Sequence, residues 1–449
     1  MPPLSARRPD TTGTPERSRL AARLHGPLDW IVAAQRTMPA RHKGLLAVLV
    51  LTFLSPYTAP VAMLAVVLYA VVRTVRSARA APGGKPFRGM VRRILDGLGA
   101  SRMFLPGAVF LLSATIGAVV YGNPKSLFAT FAVLLPTFLA ALWYEHAWTR
   151  DDALHFSHYT SLLLLPVALI AVVRLAGFFP YTPFPSRATG TFGNPNILAM
   201  VLEALIPMAM AMTYHVWSKP GKALLLFAIA VGWIMLYFTG SRSGMMAGLA
   251  AAMVFFLFMS ERRLLSVAIG LAALGLIVLS IWPEAALDAL KTLIPRLNTI
   301  AKEITSRLAL WKIAWTEVLK DPILGRGLYS FPRYITDPHY ADRVHAHSLY
   351  IGFWLETGGI GLAAFLFLIV RFVGSAVRTL RGSPLRPYLA GGLAVLTAVL
   401  VHGVTDMPLM NPQGLALILL TLSALSVALG PKGLRGGPPR LDSAGRRIV

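Results

Sequence analysis

The chain contains no cysteine. That excludes disulfides, thiolate metal sites and a cysteine nucleophile, and it leaves the compartment open. Acidic residues are scarce too, 19 Asp and Glu against 43 Lys and Arg. Only 14% of the 449 residues are charged, where a soluble domain carries about 25%. What fills the space is apolar: 55% of residues are hydrophobic and the mean hydropathy is +0.62. A soluble chain could not hide so much apolar surface, so an integral membrane protein is expected. The first 43 residues are polar and basic and lack the apolar core and small-residue cleavage site of a signal peptide. Residues 17–36 have the pattern of an amphipathic helix on the membrane surface, or of a solvated tail.

A spanning helix needs about 20 mostly apolar residues. Twelve such spans are read, near 42–55, 58–75, 104–122, 126–145, 157–179, 195–216, 222–240, 242–260, 263–283, 347–370, 387–404 and 411–430. The turn at 55–60, with two prolines, leaves open whether the first two are one kinked element. An all-α, polytopic membrane fold follows. A basic segment covers 1–41, helices one to nine 42–283, a long loop 284–346, helices ten to twelve 347–430 and a basic tail 431–449. Thirty of the 43 Lys and Arg fall on the side of the two termini, which the positive-inside rule assigns to the cytoplasm. The net charge of +24 is thereby explained by topology, without nucleic acid. The long outer loop carries Leu308, Trp311, Trp315 and Val318 on one helical stripe, and Asp321-Pro322 ends that helix. Short helices lying along the outer membrane face are expected there.

The residues that could do chemistry gather on the outer side: Arg187, Arg242, Arg307, His345, His347 and Asp406. Arg187 lies in a glycine-bearing turn before Asn194-Pro195, and Arg242 in Thr-Gly-Ser-Arg-Ser-Gly between spans seven and eight. Arginine grips phosphate with a planar fork of donors. Arg307 opens the amphipathic helix. His347 precedes span ten, where a helix N-terminus favours the neutral imidazole that a general base needs. His345 and His347 stand two apart and do not share a helix face, and no acidic cluster is adjacent in sequence, so no metal site is expected. Asp406 and Glu356 could each orient a histidine or pair with an arginine. Glu203 and Arg174 are expected to pair with each other or to snorkel. Such a cationic, histidine-bearing outer face suits a phosphate-linked, lipid-borne substrate. A transporter of anions or small solutes is the alternative of another class; it would place ionisable groups at mid-membrane in matched halves, and no repeat is found.

Several of these stretches, in order over about residues 187–410, resemble the O-antigen ligase and polymerase superfamily of bacterial envelope glycan assembly. They are the Gly-Ser-Arg242-Ser-Gly turn, the run from Arg307 through Trp311 to Pro322-Ile-Leu-Gly325-Arg-Gly327, and His345-Ala-His347-Ser-Leu-Tyr followed by Leu-Glu356-Thr-Gly-Gly. The resemblance implies a GT-C-like membrane enzyme of the bacterial inner membrane with its site facing the periplasm. It would transfer a glycan from an undecaprenyl diphosphate carrier, without a cofactor, to a lipid A-core sugar, or in a polymerase to another glycan. The essential histidine of the family would match His347, and its arginines Arg242, Arg307 and, less closely, Arg187. The family often has Asn after that histidine, and here it is Ser348.

Overall fold

Helix starts in this chain follow capping chemistry that can be read residue by residue. The computed structural model describes residues 40–55, 57–79, 95–178, 184, 186–216, 218–260, 300–380 and 383–430. Among them the helices are α1 (Ala40–Leu54), α2 (Thr58–Arg79), α3 (Phe104–Val120), α4 (Pro124–Ala147), α5 (Arg150–Leu175), α6 (Pro195–Thr213), α7 (Lys219–Phe238), α8 (Arg242–Met259), α9 (Ile300–Lys320), α10 (Leu349–Leu380), α11 (Arg386–His402) and α12 (Pro412–Ala428). Asn123, Asn194 and Asn411 each cap a helix whose first residue is proline, the asparagine oxygen accepting from a first-turn amide. Ser218 and Ser241 do the same for α7 and α8.

Seven helices, α2, α4, α5, α6, α7, α8 and α10, are long and apolar enough to cross a membrane; α1, α3, α11 and α12 are shorter apolar helices. No strand occurs among the described residues, and the chain is an all-helical, polytopic membrane protein. Large apolar side chains such as Leu68, Leu112, Phe128, Phe227 and Leu249 remain more than half exposed, as lipid-facing groups do. The span expected at 263–283, the first part of the long loop, residues 17–36 and the tail at 431–449 lie outside the described residues.

Two boundaries differ by seven residues or more from the hydropathy reading, and one helix carries an interior irregularity. Helix α5 starts seven residues early, at Arg150, because Thr149 and Asp152 form a reciprocal capping box ahead of the apolar run. Helix α10 continues ten residues beyond the apolar run, to Leu380. Helix α4 carries a π turn over Thr130–Leu134, which no periodicity announces. The first two spans are separate helices packed on each other.

The core centres on α6, whose apolar window is 83% buried. It packs against α5, α7, α8 and α11, while α10 packs on α3 and α9. After α9 the chain presses its backbone onto α10 at a kink: Gly359 N–H donates to Pro322 O (3.0 Å), Gly327 N–H to Glu356 O (2.9 Å) and Arg326 N–H to Leu355 O (2.8 Å). Gly358 takes φ +68° there, and a Cβ on it would stand 2.1 Å from Ile323 O. A Cβ on Gly325 would stand 2.2 Å from Glu356 O. These two glycines allow a backbone-to-backbone contact that fixes the end of α9 relative to α10.

Candidate functional site

The site is built at one end of the bundle by four chain segments. The 186–196 turn leads into α6, the 239–242 turn joins α7 to α8, residues 345–348 lead into α10, and 402–407 follow α11. Asp406 is the point where they meet. Its Oδ1 accepts from its neighbour Met407 N–H (2.8 Å) and stands 3.4 Å from His347 Nδ1 and 3.6 Å from His345 Nε2. Its Oδ2 accepts from Asn196 Nδ2 (2.8 Å) and lies 3.9 Å from His402 Nε2. The carboxyl is buried. Burial opposes its ionisation, but the imidazoles of His347, His345 and His402 outweigh that cost and hold it well below the usual carboxylate range.

The tautomer of His345 follows from its partners. His347 N–H donates to His345 Nδ1 (3.2 Å), so the neutral His345 ring carries its proton on Nε2, toward Asp406. Burial pushes the His345 imidazole down to about 4, only partly offset by Asp406. His345 is therefore neutral near pH 7 and its role is to hold Asp406 and the His347 backbone. His347 itself has φ +50°, a left-handed conformation that a non-glycine residue rarely adopts. Trp311 Nε1 of α9 donates to His347 O (3.0 Å), which helps keep it there. With Nδ1 turned to Asp406, His347 presents Nε2 as its second ring nitrogen; the side chain is 18% exposed.

His345, His347 and Asp406 each offer a ligand atom, all within 4.8 Å of one another. The sequence offers no acidic cluster beside the two histidines but names Asp406 as a carboxylate that could orient one; folding brings it from 59 residues beyond His347. A cation held by all three would need the His345 proton to leave Nε2, where the hydrogen bond from His347 N–H to Nδ1 places it.

The arginines are placed unequally. Arg242, at the first position of α8, forms an ion pair with Glu303 of α9. Arg187 donates from Nε to Thr239 O (2.5 Å) and from Nη2 to Asn196 Oδ1 (3.1 Å), bracing two of the site's turns. Arg307, one turn beyond Glu303 and half-buried, lies within electrostatic reach of His402. Helix α9 divides the stripe read from the sequence: Val318 is buried with Leu310 and Ala314, while Leu308 and Trp315 are 53% and 41% exposed. Ser348 is buried, its Oγ 3.5 Å from Ile351 N–H, at the N-cap of α10. Serine and asparagine serve equally well at that position.

Glu356 stands apart from the histidines. Its Oε1 accepts from Tyr329 N–H (3.0 Å), and its Oε2 has no hydrogen-bond partner. It borders an apolar cavity of about 100 Å³ lined by residues that include Phe110, Phe138, Tyr329, Phe353 and Phe365. Glu203 does not pair with Arg174. Its Oε1 meets His402 Nδ1 at 2.7 Å, while Arg174 donates to Gly190 O. Sequence reading left out Asn196, Glu303 and His402 as site residues. Asn196 carried one usable signal, its place two residues after a helix cap; the other two come to the site only by packing.

A membrane-embedded helical bundle with an aspartate, three histidines and three arginines gathered at one end is the class that fold and site define. Residues 225–366 match the family model described as O-antigen ligase. The matched segment carries Arg242, Glu303, Arg307, His345, His347 and Glu356; Arg187, Glu203, His402 and Asp406 lie outside it. No curated protein matches the chain.

Proposed function

We propose that this protein is an O-antigen ligase: an inverting, metal-independent glycosyltransferase. It moves a glycan from undecaprenyl diphosphate to a sugar hydroxyl of a lipid A core at the periplasmic face of the bacterial inner membrane. The observation that carries the reading is the juxtaposition of His347 Nδ1 with the buried, ionised Asp406 (3.4 Å). A carboxylate on one imidazole nitrogen fixes the tautomer, leaves the other nitrogen to act as base and stabilises the imidazolium that forms.

In the step proposed, the acceptor oxygen attacks the anomeric carbon and its proton passes to His347 Nε2. The bond from that carbon to the diphosphate oxygen breaks, and the diphosphate leaves on the carrier. Arg242 and Arg307 bind the diphosphate and stabilise its developing charge, and Arg187 supports the turns from below. Arg242 meets Glu303, so donor binding there exchanges one carboxylate for a phosphate. The polyprenyl tail lies along the lipid-facing flank, because the apolar cavity of about 100 Å³ is smaller than the ~150 Å³ that holds a single benzene ring. The charge asymmetry of the loops supports cytoplasmic termini and a periplasmic site.

The test uses the purified full chain in lipid nanodiscs, with undecaprenyl diphosphate-linked glycan, lipid A-core acceptor and EDTA. Transfer by wild type, and none by His347→Ala or Arg242→Ala, is expected. Glycan that lengthens on its carrier without the acceptor would make the protein a polymerase of the same superfamily. No turnover by folded wild type would remove the reading.

A further inference from the structure

Beneath Asp406 lies a pair of ionisable residues that the transfer step does not use. Glu203 and His402 are each 1% exposed. Glu203 lies eight residues beyond Pro195, about 12 Å along α6 from its start at 1.5 Å per residue. A charge this far inside a membrane helix is costly and is kept with a partner or for a function. The partner is His402, the last residue of α11, with Nδ1 2.7 Å from Glu203 Oε1. The other ring nitrogen, Nε2, faces Asp406 Oδ2 at 3.9 Å and has no hydrogen-bond partner. The imidazole is thus sandwiched between two carboxylates. A neutral ring with its proton toward Glu203 would turn a lone pair against an ionised Asp406. A doubly protonated ring donates to Glu203, turns its second N–H toward Asp406 without bonding to it, and leaves the buried group with one excess negative charge instead of two.

We propose that Glu203 and His402 are positioning residues for Asp406: an imidazolium braced by Glu203 holds Oδ2, so that Oδ1 stays turned to His345 and His347. The inference rests on the base role given above to His347. Removing the brace leaves the reacting groups in place but frees the carboxylate that orients them. The groups facing Asp406 are His345 and His347 ahead of α10, His402 of α11 and Asn196 of α6. Arg187 acts behind Asn196, and Glu203 and Arg307 act on His402. Gly244 of α8 packs against α6 here, where a Cβ would come within 2.7 Å of Ala199 Cβ and 3.0 Å of Glu203 Oε1.

The experiment compares wild type, Glu203→Gln and His402→Gln in nanodiscs by two readouts. In the transfer assay kcat should fall about 10- to 100-fold in both variants, with donor KM within about threefold of wild type. In carbon NMR of aspartate-labelled protein, with Asp406 assigned through Asp406→Asn, the carboxyl should stay ionised through the acid range in wild type. It should titrate nearer the ordinary carboxylate range in both variants, because a positive neighbour is gone. Unchanged Asp406 titration in folded variants would overturn the proposal, and so would an unchanged kcat. A change in thermal stability alone would assign the pair to packing and also overturn it. Should wild type transfer nothing, the base role fails by itself, and the NMR readout still decides whether the pair governs Asp406.

Discussion

Polar clusters sit at both ends of this bundle, half-buried at one and buried at the other, and they are built in opposite ways. At the end away from the histidines, Glu145 of α4 accepts from Ser101 Oγ (2.5 Å), from Arg102 N–H (3.0 Å) and from Ser426 Oγ. Arg102 spends its guanidinium on the last carbonyls of α12, Ser426 O (3.0 Å) and Leu429 O (2.9 Å). Neither side chain leaves a buried polar atom without a hydrogen bond. At the other end His347 Nδ1, His402 Nε2 and Glu203 Oε2 are buried without a hydrogen bond. Three imidazoles approach Asp406 at 3.4–3.9 Å without closing. A structural cluster satisfies its groups in full, since each unmade bond costs roughly 1–3 kcal/mol. A cluster that leaves several open, around a residue at φ +50°, is arranged for something other than stability.

The sharpest way to break this comparison is His347→Ala, which should lower transfer about 10³-fold, within the usual range for losing a general base, while the unfolding midpoint stays put. Asp406→Asn comes next. It keeps the shape but cannot hold a positive imidazole, and a kcat lower by about 10²- to 10³-fold is expected from steady-state rates. An activity within a few-fold of wild type would mean that Asp406 only packs.

The pH dependence of stability distinguishes the ends without any substrate. His345 is held down to about 4 from an ordinary 6.5. Below pH 6.5 the unfolded chain therefore takes up a proton that the folded chain refuses, and stability is lost progressively until pH 4. The loss is up to about 3 kcal/mol from this residue. Asp406, depressed further, keeps its contribution above the ordinary carboxylate range and gives it up only in stronger acid. His345→Gln should flatten the unfolding midpoint between pH 6.5 and pH 4; a midpoint that falls as steeply as in wild type would remove His345 as the cause.

At the satisfied end, Glu145→Ala should cost about 2 kcal/mol of stability through its lost charge-assisted bonds, with transfer per folded molecule unaltered. The smallest effect is expected at Glu356, a buried carboxylate away from the histidines. Glu356→Gln preserves the acceptor for Tyr329 N–H and should move the melting free energy by under about 1 kcal/mol, with near-normal transfer. A large kcat loss there would bring Glu356 into the site after all.

Much of this was legible in one chain. The hydropathy runs located the described spans because hydrocarbon demands about 20 apolar residues whatever the fold. The helix start at Asn194-Pro195 was a local signal, since a cap bonds within its own first turn. Arg242, His345, His347 and Asp406 stood out as polar residues at the ends of apolar runs. The depth of α5 was misread because a capping box lies outside the apolar run. Glu203 was expected to pair with Arg174 or to snorkel, and does neither, because its partner His402 is 199 residues away.

The sequence by itself determined that this chain is a helical membrane protein with its unusual cations and histidines on one side. These properties follow from composition, period and loop charge, each of which acts over one helix or one turn. Only the tertiary structure decided which acid meets which base. Asp406 with His347, Glu203 with His402 and Arg242 with Glu303 are contacts made by the packing of α6, α8, α9 and α11. The physical reason is range: a buried charge selects its partner by distance and desolvation within a few ångströms, and no local pattern in the chain encodes which helix will stand there.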